Sequence, residues 1–232
     1  MIVVMDAISA KIDNSQNLRR TKIASIAGSA LGIGASVGMI YSIAKKSNPN
    51  LKFSDLKYDE LGIVGLGAGS IAGGLLGGLI ADENKENTNP KIREGLQQLF
   101  GSLMCPMALV AVFTRALDKS GFKMPDFKAL PKGLNNMIAA LPRVGVIFGS
   151  LVLGMNVGNK IMNKVNNFIF KENKERKVEL SDYFVHTDDA CVAASLVLKD
   201  VESVSSVTNK IMPLAFLLSG IKTGTAQKET NP

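Results

Sequence analysis

The strongest constraint on this chain is the 21-residue run Leu61–Ala81, which holds eight glycines and no charged side chain. About 20 helical residues cross the ~30 Å hydrocarbon core of a bilayer. A helix of that length in water needs a charged face, and this run has none. It therefore reads as a transmembrane helix. Ile23–Ala44, 22 residues without a charge, reads the same way. Composition agrees only when taken by segment. Hydrophobic residues are 46% of the whole, but the two runs fall in the first 85 residues, while Lys and Glu gather at 171–179.

Glycine in such a run has three physical uses. A phosphate-cradling loop joins a strand to a helix and, in its Walker form, needs Gly-Lys-Ser or Gly-Lys-Thr. Neither triplet occurs, and no GxGxxG register is completed. A flexible tether would be polar, yet Leu and Ile fill the gaps here. The third use follows from the register: Gly65, Gly69, Gly73 and Gly77 recur every fourth residue, with Gly74 and Gly78 beside them. Residues four apart share one helix face, so these glycines make that face smooth. In lipid, close approach through small residues is a main source of helix association. The first run repeats the theme with Ala24, Gly28 and Gly32, then Gly34 and Gly38, and a later one with Gly145/Gly149 and Gly154/Gly158. Gly28, Gly32, Gly65, Gly69, Gly73, Gly77, Gly145 and Gly149 are accordingly the expected helix-packing residues.

This pattern, over residues 24–38 and 65–81, resembles the glycine-zipper segments that recur in many bacterial membrane-associated proteins. The likeness implies close helix contact. It is a packing motif and brings no activity with it.

Two further spans complete a bundle. Gly95–Thr114 lacks charge and is closed by Arg115, with Pro106 near its middle expected to kink it. The fourth, near 138–158, contains Arg143 directly after Pro142. Proline suits the first turn of a helix, which makes Arg143 an interfacial anchor. The competing reading is a polar intramembrane site formed by Arg143 and Asn156. After Lys160 the spacing of Ile161, Val165, Phe168 and Ile169 predicts an amphipathic helix, and 171–179 reads as a solvated charge run. Ala190–Leu198 and Ile211–Ile221 are too short to span, so they predict a small helical region or segments packed against the bundle. Residues 1–22, with Ile8, Lys11 and Ile12, read as an amphipathic segment on the membrane surface.

With four spans, one side collects 13 Lys and Arg and the other 9, which puts both termini in the cytoplasm of a plasma (inner) membrane. Catalytic signals are weak. His186, Asp188 and Asp189 have the right types for a metal or acid–base trio, but no further ligand has motif spacing. Thr187 or Asp188 is better read as a helix cap. Cys105 and Cys191 form no CxxC pair, and the methionines in and near the spans read as packing filler. No enzyme, metal or cofactor is expected. Nucleic acid is excluded as a partner because no basic run is interleaved with aromatics and Trp is absent. The sequence thus predicts an all-α membrane bundle over 23–160 with a helical region over 161–232. Its partners would be lipid and a second copy or another membrane protein. The expected role is structural or interaction-based, through self-association by glycine faces. A small transporter or channel is the alternative.

Overall fold

The computed structural model describes residues 2–56, 58, 60–122, 132–186 and 201–228. The fold is all-α, 86% helical, with no strand among the described residues. Its helices are α1 (Ile2–Ser47), α2 (Glu60–Ala81), α3 (Thr88–Leu96), α4 (Cys105–Ser120), α5 (Lys132–Phe170) and α6 (Val201–Thr225). A π-helical stretch, Gln97–Met104, joins α3 to α4. Four helical stretches are long and apolar enough to cross a membrane: Asn14–Ser47, Leu61–Ala81, Lys85–Ser120 and Ile138–Phe170. They support a membrane protein.

Several boundaries differ from the sequence expectation. No break separates residues 2–22 from the first span, since α1 runs through both. The side chains of Ile8, Lys11 and Ile12 lie outside the described residues. Pro142 is inside α5, ten residues after its start at Lys132, so it does not open a helix. The predicted amphipathic helix after Lys160 is the last part of the same α5. The chain divides into two compact units, one of Met1–Gln98 with Phe216–Pro232, the other of Leu99–Ala215.

In the first unit, α1 packs along α2 through backbone rather than side chains. A Cβ placed on Gly28 would run into the carbonyl of Gly73, and one on Gly73 into the carbonyl of Gly28. Gly32 and Gly69 exclude each other's Cβ in the same way, and Gly77 faces the Ala24 carbonyl. The other glycine row of α2 meets the end of α6: Gly74 against Gly220, and Gly78 against Gly224. So α2 is gripped on two sides within one chain.

The polarity of this unit is inverted relative to a water-soluble bundle. Asn17, Thr21, Ser25 and Ser29 recur every fourth residue of α1 and are all buried, as are Ser70, Ser219 and Thr223. Leu31, Leu61 and Ile80 lie open instead, at 75%, 81% and 82% exposure. Water would penalise both halves of that arrangement, whereas lipid favours it.

The second unit repeats the inversion. α4 packs on α5 where Gly154 meets Pro106 and Gly158 meets Gly101 and Cys105. On the last turns of α5, Asn163 and Asn166 are buried while Ile161, Val165, Phe168 and Ile169 are exposed. The apolar face predicted there exists, and it points outward.

Gly73→Ala is expected to lower the stability of the purified protein in detergent by about 1–3 kcal/mol, the cost of overpacking a tight contact. Gly65→Ala, where a Cβ meets nothing within 4 Å, should instead be neutral or stabilising by up to ~1 kcal/mol, as alanine replaces glycine in a helix. Thermal unfolding followed by circular dichroism checks both.

Candidate functional site

The best-built polar site is a buried cluster at the end of the first unit where α2 gives way to α3. Asp82 follows the last residue of α2, and its side chain is 3% exposed. Its carboxylate accepts from Asn17 Nδ2 at 2.8 Å, Asn87 Nδ2 at 3.0 Å, the Asn84 backbone N–H at 3.0 Å, and Lys91 Nζ. Lys91 is wholly buried and also donates to the Ala226 carbonyl at 3.0 Å. Asn17 Oδ1 accepts from the Glu83 N–H, and Asn87 Oδ1 from the Lys228 N–H. One ion pair thereby ties together α1, the α2–α3 turn, α3 and the tail after α6. Burial alone would raise the Asp82 pKa, but Lys91, the two Asn amides and the backbone donor outweigh it and lower the pKa to about 2.

From this cluster the buried row Thr21, Ser25, Ser29 leads along α1 into the helix contact. Ser25 Oγ donates to the Thr21 carbonyl, and Ser70 Oγ of α2 donates to the Phe216 carbonyl of α6 at 2.7 Å. The hydroxyls of Thr21 and Ser29 are buried without a hydrogen-bond partner among the described residues. Ser36 Oγ donates to the Gly65 carbonyl.

The sequence-predicted packing residues thus divide. Gly28, Gly32, Gly69, Gly73 and Gly77 stand at the α1–α2 contact. For Gly65, Gly145 and Gly149 the expectation needs correction, because a Cβ at any of them meets nothing within 4 Å. Gly65 contributes only its carbonyl, and Gly145 and Gly149 line an open groove between α4 and α5.

Arg143 and Asn156 are not brought together. Thirteen residues separate them on α5, about 20 Å along the axis. Arg143 is half-exposed and reaches Asp118 of α4 at 3.3 Å. Asn156 is exposed and donates back to Val152 of its own helix.

Pro106 lies inside the continuous helical stretch Lys85–Ser120, as its place near mid-span predicted, and directly follows the π-helical turn Gln97–Met104. A proline cannot donate to the carbonyl four residues earlier, here Ser102. That carbonyl accepts from His186 Nε2 at 2.7 Å, and His186 is buried. The lone histidine therefore answers a backbone gap left by a proline. Asp188, Asp189, Thr187, Cys191 and the segment Ala190–Leu198 lie outside the described residues. Among the described residues no three His, Cys, Asp or Glu side chains could hold a metal.

The run 171–179 is not a solvated face throughout. Arg176 lies back along α5, its carbonyl accepting from Asn159 and Asn163 and its N–H donating to Asn163 Oδ1. Its guanidinium makes two bonds, 2.9 and 2.7 Å, to the buried Asp182. The sequence signal was the spacing Asn159, Asn163, Asn166/Asn167, an amide row on one helix face.

Lys91→Met is expected to destabilise the protein by about 3–5 kcal/mol by leaving a buried carboxylate unpaired. Because the Asp82 pKa is lowered, its contribution is complete above the ordinary carboxylate range and is lost as pH falls toward about 2. Unfolding midpoints in detergent between pH 7 and pH 2 should show that acid loss in the unaltered protein and less of it in Asp82→Asn. Comparison with protein-family models, with curated proteins and with solved structures finds no match, so the functional reading rests on the chain's own geometry.

Proposed function

We propose that this chain is an integral membrane protein of structural or interaction type, without enzymatic activity, that associates with further copies through a small-residue face of α1. The observation that carries the reading is the division of the glycines. The inner rows are filled within the chain, whereas Ala30, Gly34, Gly38 and Ser42, also every fourth residue, are exposed. A Cβ at Gly34 or Gly38 meets nothing within 4 Å. Rows of this kind bring transmembrane helices together. Both termini are assigned to the cytoplasm of the plasma membrane. The count of 13 basic residues against 9 supports this, as does the way Asn17 and Lys228 meet the two sides of one polar cluster.

Gly34→Leu with Gly38→Leu should convert oligomers to monomers, read by subunit counting in nanodiscs, without lowering the unfolding midpoint. Unchanged oligomers, or monomers in the unaltered protein, would overturn self-association through this face.

A transporter is the second reading, favoured by the buried, unpartnered hydroxyls of Thr21 and Ser29 on the α1 row that begins at Asn17, a partner of Asp82. It predicts solute flux into proteoliposomes that falls with Ser29→Val.

A further inference from the structure

In the second unit α4 and α5 touch closely at Pro106 and Gly154 but leave a groove of about 440 Å³ nearer their connection. Phe113, Leu117, Val146 and Leu153 supply apolar walls, and Gly145 and Gly149 form part of the lining on α5. Any side chain at those two glycines would project into empty space. The α5 lining runs from Gly145 to Leu153, eight residues or about 12 Å. One leaflet of the hydrocarbon core is roughly 15 Å deep.

The end of the groove nearer the connection is cationic. Arg143 precedes every lining residue of α5. One guanidinium nitrogen reaches Asp118 at 3.3 Å, and both side chains are about half exposed. Lys119, next to the lining residue Ser120, adds an exposed cation in the last turn of α4. Asp118 thus stands with two cations at this end. A guanidinium so placed offers its remaining N–H groups to a phosphate in the fork geometry that suits it.

We propose that this groove binds one anionic phospholipid, its acyl chain between α4 and α5 and its phosphate on Arg143. The inference rests on the membrane reading of the chain, but not on self-association. It also gives Gly145 and Gly149 a role that helix packing does not. They keep the groove open, and leucine at either would fill it.

The chain contains no Trp, so Phe113→Trp places a single fluorophore in the groove. The full chain carrying it is reconstituted in phosphatidylcholine vesicles doped with phosphatidylglycerol or phosphatidylcholine bearing brominated acyl chains. Brominated phosphatidylglycerol should quench with about fivefold preference, the weight of one basic side chain facing anionic lipid. Arg143→Gln should bring the two lipids to parity while preserving quenching, and Gly149→Leu should weaken quenching by both. Equal quenching in the Phe113→Trp protein, or quenching indifferent to Gly149→Leu, overturns the site. So does absence of quenching in protein that floats with the vesicles and resists carbonate extraction, since another part of the protein or a second copy then covers the groove. Protein that neither floats nor resists extraction refutes the membrane reading itself.

Discussion

Everything in the first unit depends on how closely the backbone of α2 is approached. The carbonyls of Gly28 and Gly73 occupy space where a Cβ would stand on the facing helix, and Gly74 and Gly78 repeat the exclusion toward Gly220 and Gly224. Such contacts gain dispersion over many atoms at once, each worth only ~0.1–0.2 kcal/mol. In a medium as apolar as the side chains themselves, that term has few rivals. The glycines thus set the spacing of three helices. The spacing in turn brings Ser70 within reach of the Phe216 carbonyl and Ser36 within reach of Gly65.

The polar interior follows the same logic. A bundle surrounded by lipid keeps its apolar residues outside and must satisfy its polar groups inward. The Asp82 cluster does this with an ion pair whose carboxylate accepts four hydrogen bonds. In the second unit His186 does it for the Ser102 carbonyl freed by Pro106, and the Asn row of α5 does it for the extended chain around Arg176. Each case pairs a backbone irregularity or a buried charge with a partner distant in sequence.

How much of this could be read in the sequence depended on range. The first three spans were legible because charge-free length is a local property, the fourth less so because Arg143 interrupts it, and the row Gly69, Gly73, Gly77 was legible because period four needs no knowledge of neighbours. What faces a row is not local. The spacing that marks Gly69 also marks Gly65, Gly145 and Gly149, where a Cβ would meet nothing within 4 Å. The α6 partners of Gly74 and Gly78 hid in "LLSGIKTGT", where Lys222 interrupts the apolar pattern although Gly220 and Gly224 keep the spacing. Asp82 and Lys91 belong to a stretch rich in Asn, Glu and Lys with no spacing that links the two, and only folding makes them a buried pair.

The central claim is that the row Thr21, Ser25, Ser29 faces protein while Ile23, Ile26 and Leu31 face lipid. A nitroxide scan of residues 21–33 in vesicles, recording accessibility to oxygen and to a water-soluble nickel complex, tests it most directly. Oxygen accessibility should oscillate with a 3.6-residue period, highest at Ile23, Ile26 and Leu31 and lowest at Thr21, Ser25 and Ser29, with nickel excluded throughout. Nickel contact peaking at the apolar positions would contradict the account, because that surface would then be in water.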